Sequence, residues 1–416
     1  MTAFTALFIA LLAVTVFMQQ WLGRRQIAHV LAHRNAVPSA FAQDITLDSH
    51  QKAADYSVAK SRLNLKETAT SAVVLLLLTL GGGLQAIDTF WQGAVASHPM
   101  LAGVAVILSA VLITSIAEIP FDYYKTFTID QRFGFNKMTP AMFFQDLVKN
   151  AIVGLVMGLP LLFAALWLMK SAGNYWWLWL WCVWAVFNLL VLAIYPTFIA
   201  PLFNKFSPLT DAALKSRIET LLAKCGFKSQ GLFVMDGSRR SSHGNAYFTG
   251  FGANKRVVFF DTLLERLDED EIEAVLAHEL GHFKRRHVIK RIVMMFAVSF
   301  AGLALLGWLK QTDWFYTGLG VQTPSDHMAL LLLLLVSPVL TFLLRPVFAA
   351  FARSNEFEAD EYAAQHSSAR HLVEALVKLY RDNASTLTPD PLHSAFYDSH
   401  PPASIRVAHL EKLAAA

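Results

Sequence analysis

The feature that most constrains this chain is a set of seven apolar stretches, each close to the length needed to cross a bilayer as a helix. A spanning helix needs about 20 largely uncharged residues, because backbone groups in hydrocarbon must be satisfied within the segment itself. The stretches run Thr5 to Trp21, Thr70 to Ile87, Leu101 to Ile119, Ala151 to Met169, Trp176 to Ile199, Val288 to Trp308 and Met328 to Phe351. Only 16% of the 416 residues are charged, against about a quarter in a soluble domain, so the chain lacks the polar surface to coat itself in water. The first stretch has its arginines, Arg24 and Arg25, after the apolar run, opposite to a cleavable signal peptide. It therefore reads as an uncleaved span. Pro160, Pro196 and Pro338 are expected to kink or end their spans.

Basic residues test the orientation. They are frequent between spans one and two, absent between two and three, and frequent again between three and four (Lys125, Arg132, Lys137, Lys149). Only Lys170 lies between four and five, thirteen between five and six, and Lys310 alone between six and seven. This alternation predicts seven spans with the N-terminus outside and the C-terminus in the cytoplasm. A net charge of +4, dispersed along the chain, gives no reason to expect nucleic acid. Cys182 and Cys225 fall in an apolar and a polar region, so no disulfide framework is expected. Four units follow: 1–199 with five spans, a cytoplasmic segment 200–287, a transmembrane hairpin 288–351, and a cytoplasmic segment 352–416.

The chemistry concentrates at His278-Glu279-Leu280-Gly281-His282. Asp268 and Glu271 are spaced as a capping box, Ile272, Val275 and Leu276 form an apolar face, and Lys284 to Arg286 place positive charge at the end. On such a helix, residues four apart share a face, so both imidazoles can reach one tetrahedral Zn²⁺. Glu279, rotated about 100°, can act as a general base on water beside the metal without binding it. Gly281 would admit the close approach of another backbone. Two histidines leave the ion short of a protein ligand. In Asn355-Glu356-Phe357-Glu358-Ala359-Asp360, Glu356 and Asp360 share a face, so one could bind metal while the other hydrogen-bonds a ligating histidine.

HELGH at 278–282 followed by an apolar hairpin and NEFEAD at 355–360 resembles the type I CAAX prenyl proteases, integral-membrane zinc metalloproteases. IPFDYYKTFTIDQRFGFNKMT at 119–139, YPTFIAPLFNKFSPL at 195–209, HGNAYFTGFGANKRVVFFDTLL at 243–264 and SHPPASIR at 399–406 extend the likeness along most of the chain. The resemblance implies that His278, His282 and Glu356 bind one zinc ion, that Glu279 is the catalytic base, and that Asp360 supports the site or donates a proton. It implies that Asn245 and Ala246 lie on an edge strand that aligns substrate, and that His400 and Arg406 bind substrate or steady the oxyanion. Asp122, Lys125, Asp130 and Arg132 read instead as a structural network beside the membrane.

The expected fold is mainly α: a seven-transmembrane helical protein with a cytoplasmic zincin-like metalloprotease domain containing a small β-sheet. The expected activity is zinc-dependent hydrolysis of peptide bonds in a peptide or protein substrate, lipidated in the CAAX case, at the lipid bilayer. A quality-control protease without a prenyl requirement is the near alternative; a site-2-type protease or a zinc-stabilised scaffold or transporter fits less well. The compact sequence, without a long insertion or retention tail, is similar to a bacterial homologue, which gives a bacterial inner membrane as the expected location.

Overall fold

The structure is a computed structural model that describes residues 2–227, 229, 231–249 and 256–415. Helices α1 (Ala3–Ala32), α2 (Leu47–Leu78), α3 (Gly83–Ala94), α4 (Pro99–Tyr124), α5 (Pro140–Ser171) and α6 (Trp176–Ile194) come first. Strand β1 (Phe206–Pro208), helix α7 (Ala212–Lys224) and strands β2 (Leu232–Met235), β3 (Ala246–Thr249) and β4 (Arg256–Phe260) follow. A short helix α8 (Asp261–Leu264), α9 (Glu269–Lys284), α10 (His287–Leu309), α11 (Asp313–Thr317), α12 (Asp326–Thr341), α13 (Arg345–His366), α14 (Ala369–Asp382), α15 (Pro391–Tyr397) and α16 (Ala403–Ala415) complete the chain.

Among the described residues, six helical runs are long and apolar enough to cross a bilayer: α1, 99–130, α5, 173–202, α10 and 326–366. A seventh is possible only as a broken one, since α2 and α3 bend by 52° where a continuous span over Thr70 to Ile87 was expected. The cause is the Gly81-Gly82-Gly83 run. Gly82 takes a left-handed φ of 77°, and the Gly81 N–H donates back to the Leu76 carbonyl at 2.8 Å, which closes α2 as a glycine-capped helix end. Pro196 ends α6 as expected, whereas Pro160 and Pro338 are carried inside helices.

The spans are longer as helices than as apolar stretches. Hydropathy marks only the part of a helix that tolerates lipid, and α1, α4 and α5 continue well past it. The last span matters most. α12 passes through one tight turn, Phe342–Leu344, directly into α13, so the helix bearing NEFEAD is the prolongation of a membrane helix and runs across the boundary expected at 351/352.

Two cores result. One gathers Phe8, Leu84, Val106, Leu166, Leu306, Met328 and Leu332 between the apolar helices, while Phe17, Val156, Val186 and Val293 stand exposed on their outer faces, as lipid contact requires. The other gathers Ile218, Val257, Phe259, Ile272, Leu276, Leu280, Leu372 and Leu410. It joins α7, α9, α14 and α16 to a four-stranded sheet of order β1-β2-β4-β3. β2 and β4 are parallel, the outer pairs antiparallel, and β3 is an edge strand that packs beside α9.

Candidate metal centre

Helix α9 is built as its sequence prescribes. The Asp268 carboxylate accepts from the Glu271 N–H at 3.0 Å while Glu271 accepts from the Asp268 N–H at 2.9 Å, a reciprocal capping box. Lys378 of α14 holds Glu271 at 2.6 Å, and Arg217 of α7 binds Asp270 and Glu273. Ile272, Val275, Leu276 and Leu280 are buried in the second core. That leaves His278 and His282 on a shared face, with their Nε2 atoms 3.1 Å apart.

Helix α13 lies along this face. The contact depends on Gly281: a Cβ there would stand 2.9 Å from the Ala359 Cα and 3.0 Å from its carbonyl oxygen, closer than a side chain permits against backbone. The crossing brings in Glu356 and Asp360 from the helix on the far side of the hairpin. Glu356 places Oε1 3.3 Å from His282 Nε2 and Oε2 3.5 Å from His278 Nε2. Asp360, wholly buried, accepts from His278 Nδ1 at 2.8 Å. Ligand atoms of His278, His282 and Glu356 lie within 4.8 Å of one another.

Helix α16 closes the cluster. Arg406, 5% exposed, donates from Nε and Nη2 to the two Asp360 oxygens at 2.8 and 2.7 Å, and its Nη1 lies 3.6 Å from Glu356 Oε2. His400, exposed in the turn before α16, sets Nε2 3.5 Å from Glu356 Oε1. Burial pushes the Glu279 carboxyl above the usual carboxylate range, against the downward pull of the two imidazoles. Asn245 is exposed at the head of the edge strand, and Ala246 pairs with Phe259 of β4. Among the described residues no hydrogen bond or ion pair joins these two to the cluster. Residues 250–255 of the 243–264 block lie outside the described residues.

Residues 208–414, which contain this constellation, match Peptidase family M48, and 26–205 match the family described as CAAX prenyl protease N-terminal, five membrane helices. The chain belongs to peptidase family M48, of the CAAX prenyl protease type. It is 33% identical to CAAX prenyl protease 1 homolog of Caenorhabditis elegans over 97% of each chain, and 34% identical to that of Arabidopsis thaliana over 88% of each. CAAX prenyl protease 1 of Saccharomyces cerevisiae is 34% identical, over 72% of this chain and 70% of its own. Among solved structures, S. mikatae Ste24p superposes with a TM-score of 0.91, covering 99% of this chain and all of that one at 27% identity. This M48 protein is a membrane zinc metalloprotease. The named relatives are eukaryotic, so they lend no support to the bacterial inner membrane that compactness suggested.

The residues present fit a zinc ion. Ligand atoms about 2.0–2.1 Å from a tetrahedral ion stand about 3.4 Å from one another; the two Nε2 atoms are 3.1 Å apart, and Glu356 faces His282 with Oε1 at 3.3 Å and His278 with Oε2 at 3.5 Å. Glu356 Oε2 is buried and accepts no hydrogen bond among the described residues; Arg406 Nη1 faces it at 3.6 Å, so its lone pairs are left for a ligand.

Several supporting residues were invisible in the sequence. Arg353, one turn before Glu356, donates to the carbonyls of Ser394, Ala395 and Asp398 at 3.2, 3.3 and 2.9 Å and so fixes the chain entering the His400 turn. Asn383 brackets Gly244, ahead of the edge strand. Of the expected membrane-side network, Asp130 accepts from the Tyr56 hydroxyl at 2.8 Å. Only proximity in the fold reveals these pairings.

Proposed function

We propose that this protein hydrolyses a peptide bond near the C-terminus of CAAX-type, prenylated peptides, using one zinc ion held by His278, His282 and Glu356. The observation that carries the reading is the convergence of two histidines from α9 and a buried carboxylate from α13 at ligand spacing. Bound there, zinc supplies a Lewis acid that polarises the scissile carbonyl and brings the pKa of water near about 7.

The chain's own residues do the rest. Glu279 stands beside the ligands and carries a raised pKa, suited to taking a proton from water and returning it to the leaving amine. Asp360 fixes the ring and tautomer of His278. Arg406 compensates the buried charge of Asp360 and directs its remaining field at Glu356; both are assigned support roles because neither is exposed to substrate. His400, exposed beside Glu356, is assigned to contact substrate or the developing oxyanion. The free edge of β3 offers backbone groups from Asn245 onward to an extended peptide by strand addition. A cavity of about 430 Å³ between α1, α2, α4 and α12 has a mainly apolar lining, with Leu12, Leu75, Leu335 and Val339 beside Glu67 and Glu118.

The proposed arrangement is seven spans, counting α2 with α3 as one, with a zincin-like cytoplasmic unit formed by 200–287 and 352–416. The deciding assay offers purified protein the prenylated and unprenylated forms of one peptide, with and without a chelator, and weighs the products. Chelator-sensitive cleavage of the prenylated form in preference is expected. Equal cleavage of both would favour a quality-control role, and no cleavage by zinc-loaded protein would refute the activity.

A further inference from the structure

The two ligating histidines are braced differently. His278 gives its Nδ1 directly to the buried Asp360. His282 meets no carboxylate on that side; its Nδ1 faces the Nδ1 of His287 at 2.9 Å, and the Nε2 of His287 faces Glu358 Oε2 at 3.1 Å. We propose that His287 and Glu358 are positioning residues that fix His282 for zinc through a relay of hydrogen bonds, a role that rests on the metal reading above.

The hydrogen bookkeeping allows one solution. For His282 to present the Nε2 lone pair toward His278 and Glu356, its hydrogen sits on Nδ1 and is donated to His287. His287 Nδ1 then accepts, so its own hydrogen sits on Nε2 and is donated to the Glu358 carboxylate. Each imidazole is held in one tautomer, and the negative charge at the end of the relay raises the basicity of the ligating nitrogen, as a carboxylate behind a zinc-bound histidine does. The backbone is shaped for this. Between α9 and α10, Arg286 adopts a φ of 59°, a left-handed conformation unfavourable for a residue with a Cβ. The turn it makes delivers His287, buried at 5% exposure, against the ring of His282. Glu358 lies on α13 between Glu356 and Asp360 in sequence but on another face, from which it reaches the start of α10. Lys290 also approaches Glu358 Oε2, at 3.3 Å, but this pair is half exposed and such pairs contribute little.

The test is zinc affinity of full-length protein, measured by competition against a graded chelator. Glu358→Gln and His287→Ala are each expected to weaken zinc binding by about 10–100-fold, and the double variant no further than the weaker single, because both interrupt one relay. Lys290→Met should stay within about twofold. Cobalt-substituted Glu358→Gln should show a shifted visible spectrum, which a merely structural ion pair would not produce. Should His287→Ala fail to fold, Glu358→Gln, at a partly exposed position, still decides. Wild-type zinc affinity in Glu358→Gln would overturn the relay while leaving the ligand set intact. Wild-type affinity in His282→Ala would instead overturn the ligand set, and the relay with it.

Discussion

At the scale of single residues, the centre separates a group that does chemistry from groups that hold it in place. Glu279→Gln removes the proposed base but keeps the size of the side chain. It should retain zinc and lose about 10²–10⁴ in turnover, read by metal content and peptide hydrolysis on the same sample. Arg406→Ala acts differently, because it removes the cation that faces the buried Asp360 carboxylate and leaves it only the His278 Nδ1 contact. A loss of about 3–5 kcal/mol in unfolding free energy is expected, measurable by denaturant titration in detergent. The candidate ligands could be named from the sequence: spacing of four on a helix is a local property that HELGH and NEFEAD each carry. It left Glu356 and Asp360 as alternatives, and the choice of Glu356 leaned on the family resemblance. His287, Arg353 and Asn383 were not legible. Their partners lie across a turn, on another helix or in a distant loop, and no pattern along the chain encodes those meetings.

At the scale of elements, the decisive contact is the crossing of α9 and α13. Gly281 was read as permitting close approach, and the approaching group is the Ala359 backbone. Because backbone cannot yield as a side-chain tip can, Gly281→Ala should destabilise the protein by about 1–3 kcal/mol and weaken zinc binding together, checked by thermal unfolding with and without metal. The start of α9 gives a pH-dependent prediction. The Asp268 carboxyl is held below its usual range chiefly by accepting from the Glu271 N–H, with Lys378 assisting. A depressed folded value means that the cap stabilises at any pH above the ordinary carboxylate range and is lost as pH falls through the depressed value. Asp268→Ala should therefore lower stability by about 1 kcal/mol at neutral pH, with the gap to wild type closing in strong acid. That the last span runs on unbroken to His366 was not legible, because hydropathy falls after Phe351 while α13 continues.

At the scale of the whole molecule, the architecture brings together segments that the chain keeps far apart: the α9 and α13 ligands are separated by the entire α10–α12 hairpin. How the membrane part is threaded turns on the bent pair α2 and α3. If it crosses once, Thr2 and Ser207 are separated by five crossings and lie on opposite sides. In a protein with Cys182 and Cys225 replaced, Thr2→Cys should then react with an impermeant thiol reagent from outside, and Ser207→Cys only after the membrane is opened. Reaction of both from one side would mean that the pair returns without crossing. Hydropathy located the apolar helices, six or seven depending on the bent pair; the break at Gly82 was hidden, because three uncharged glycines do not end an apolar window.

Zinc binding here depends on a third ligand, Glu356, supplied by the prolonged last span. The most direct measurement is the zinc content of purified Glu356→Ala beside wild type after dialysis against dilute chelator. One ion per wild-type chain and essentially none in the variant is the expected result; one ion retained by both, at equal affinity, would contradict it.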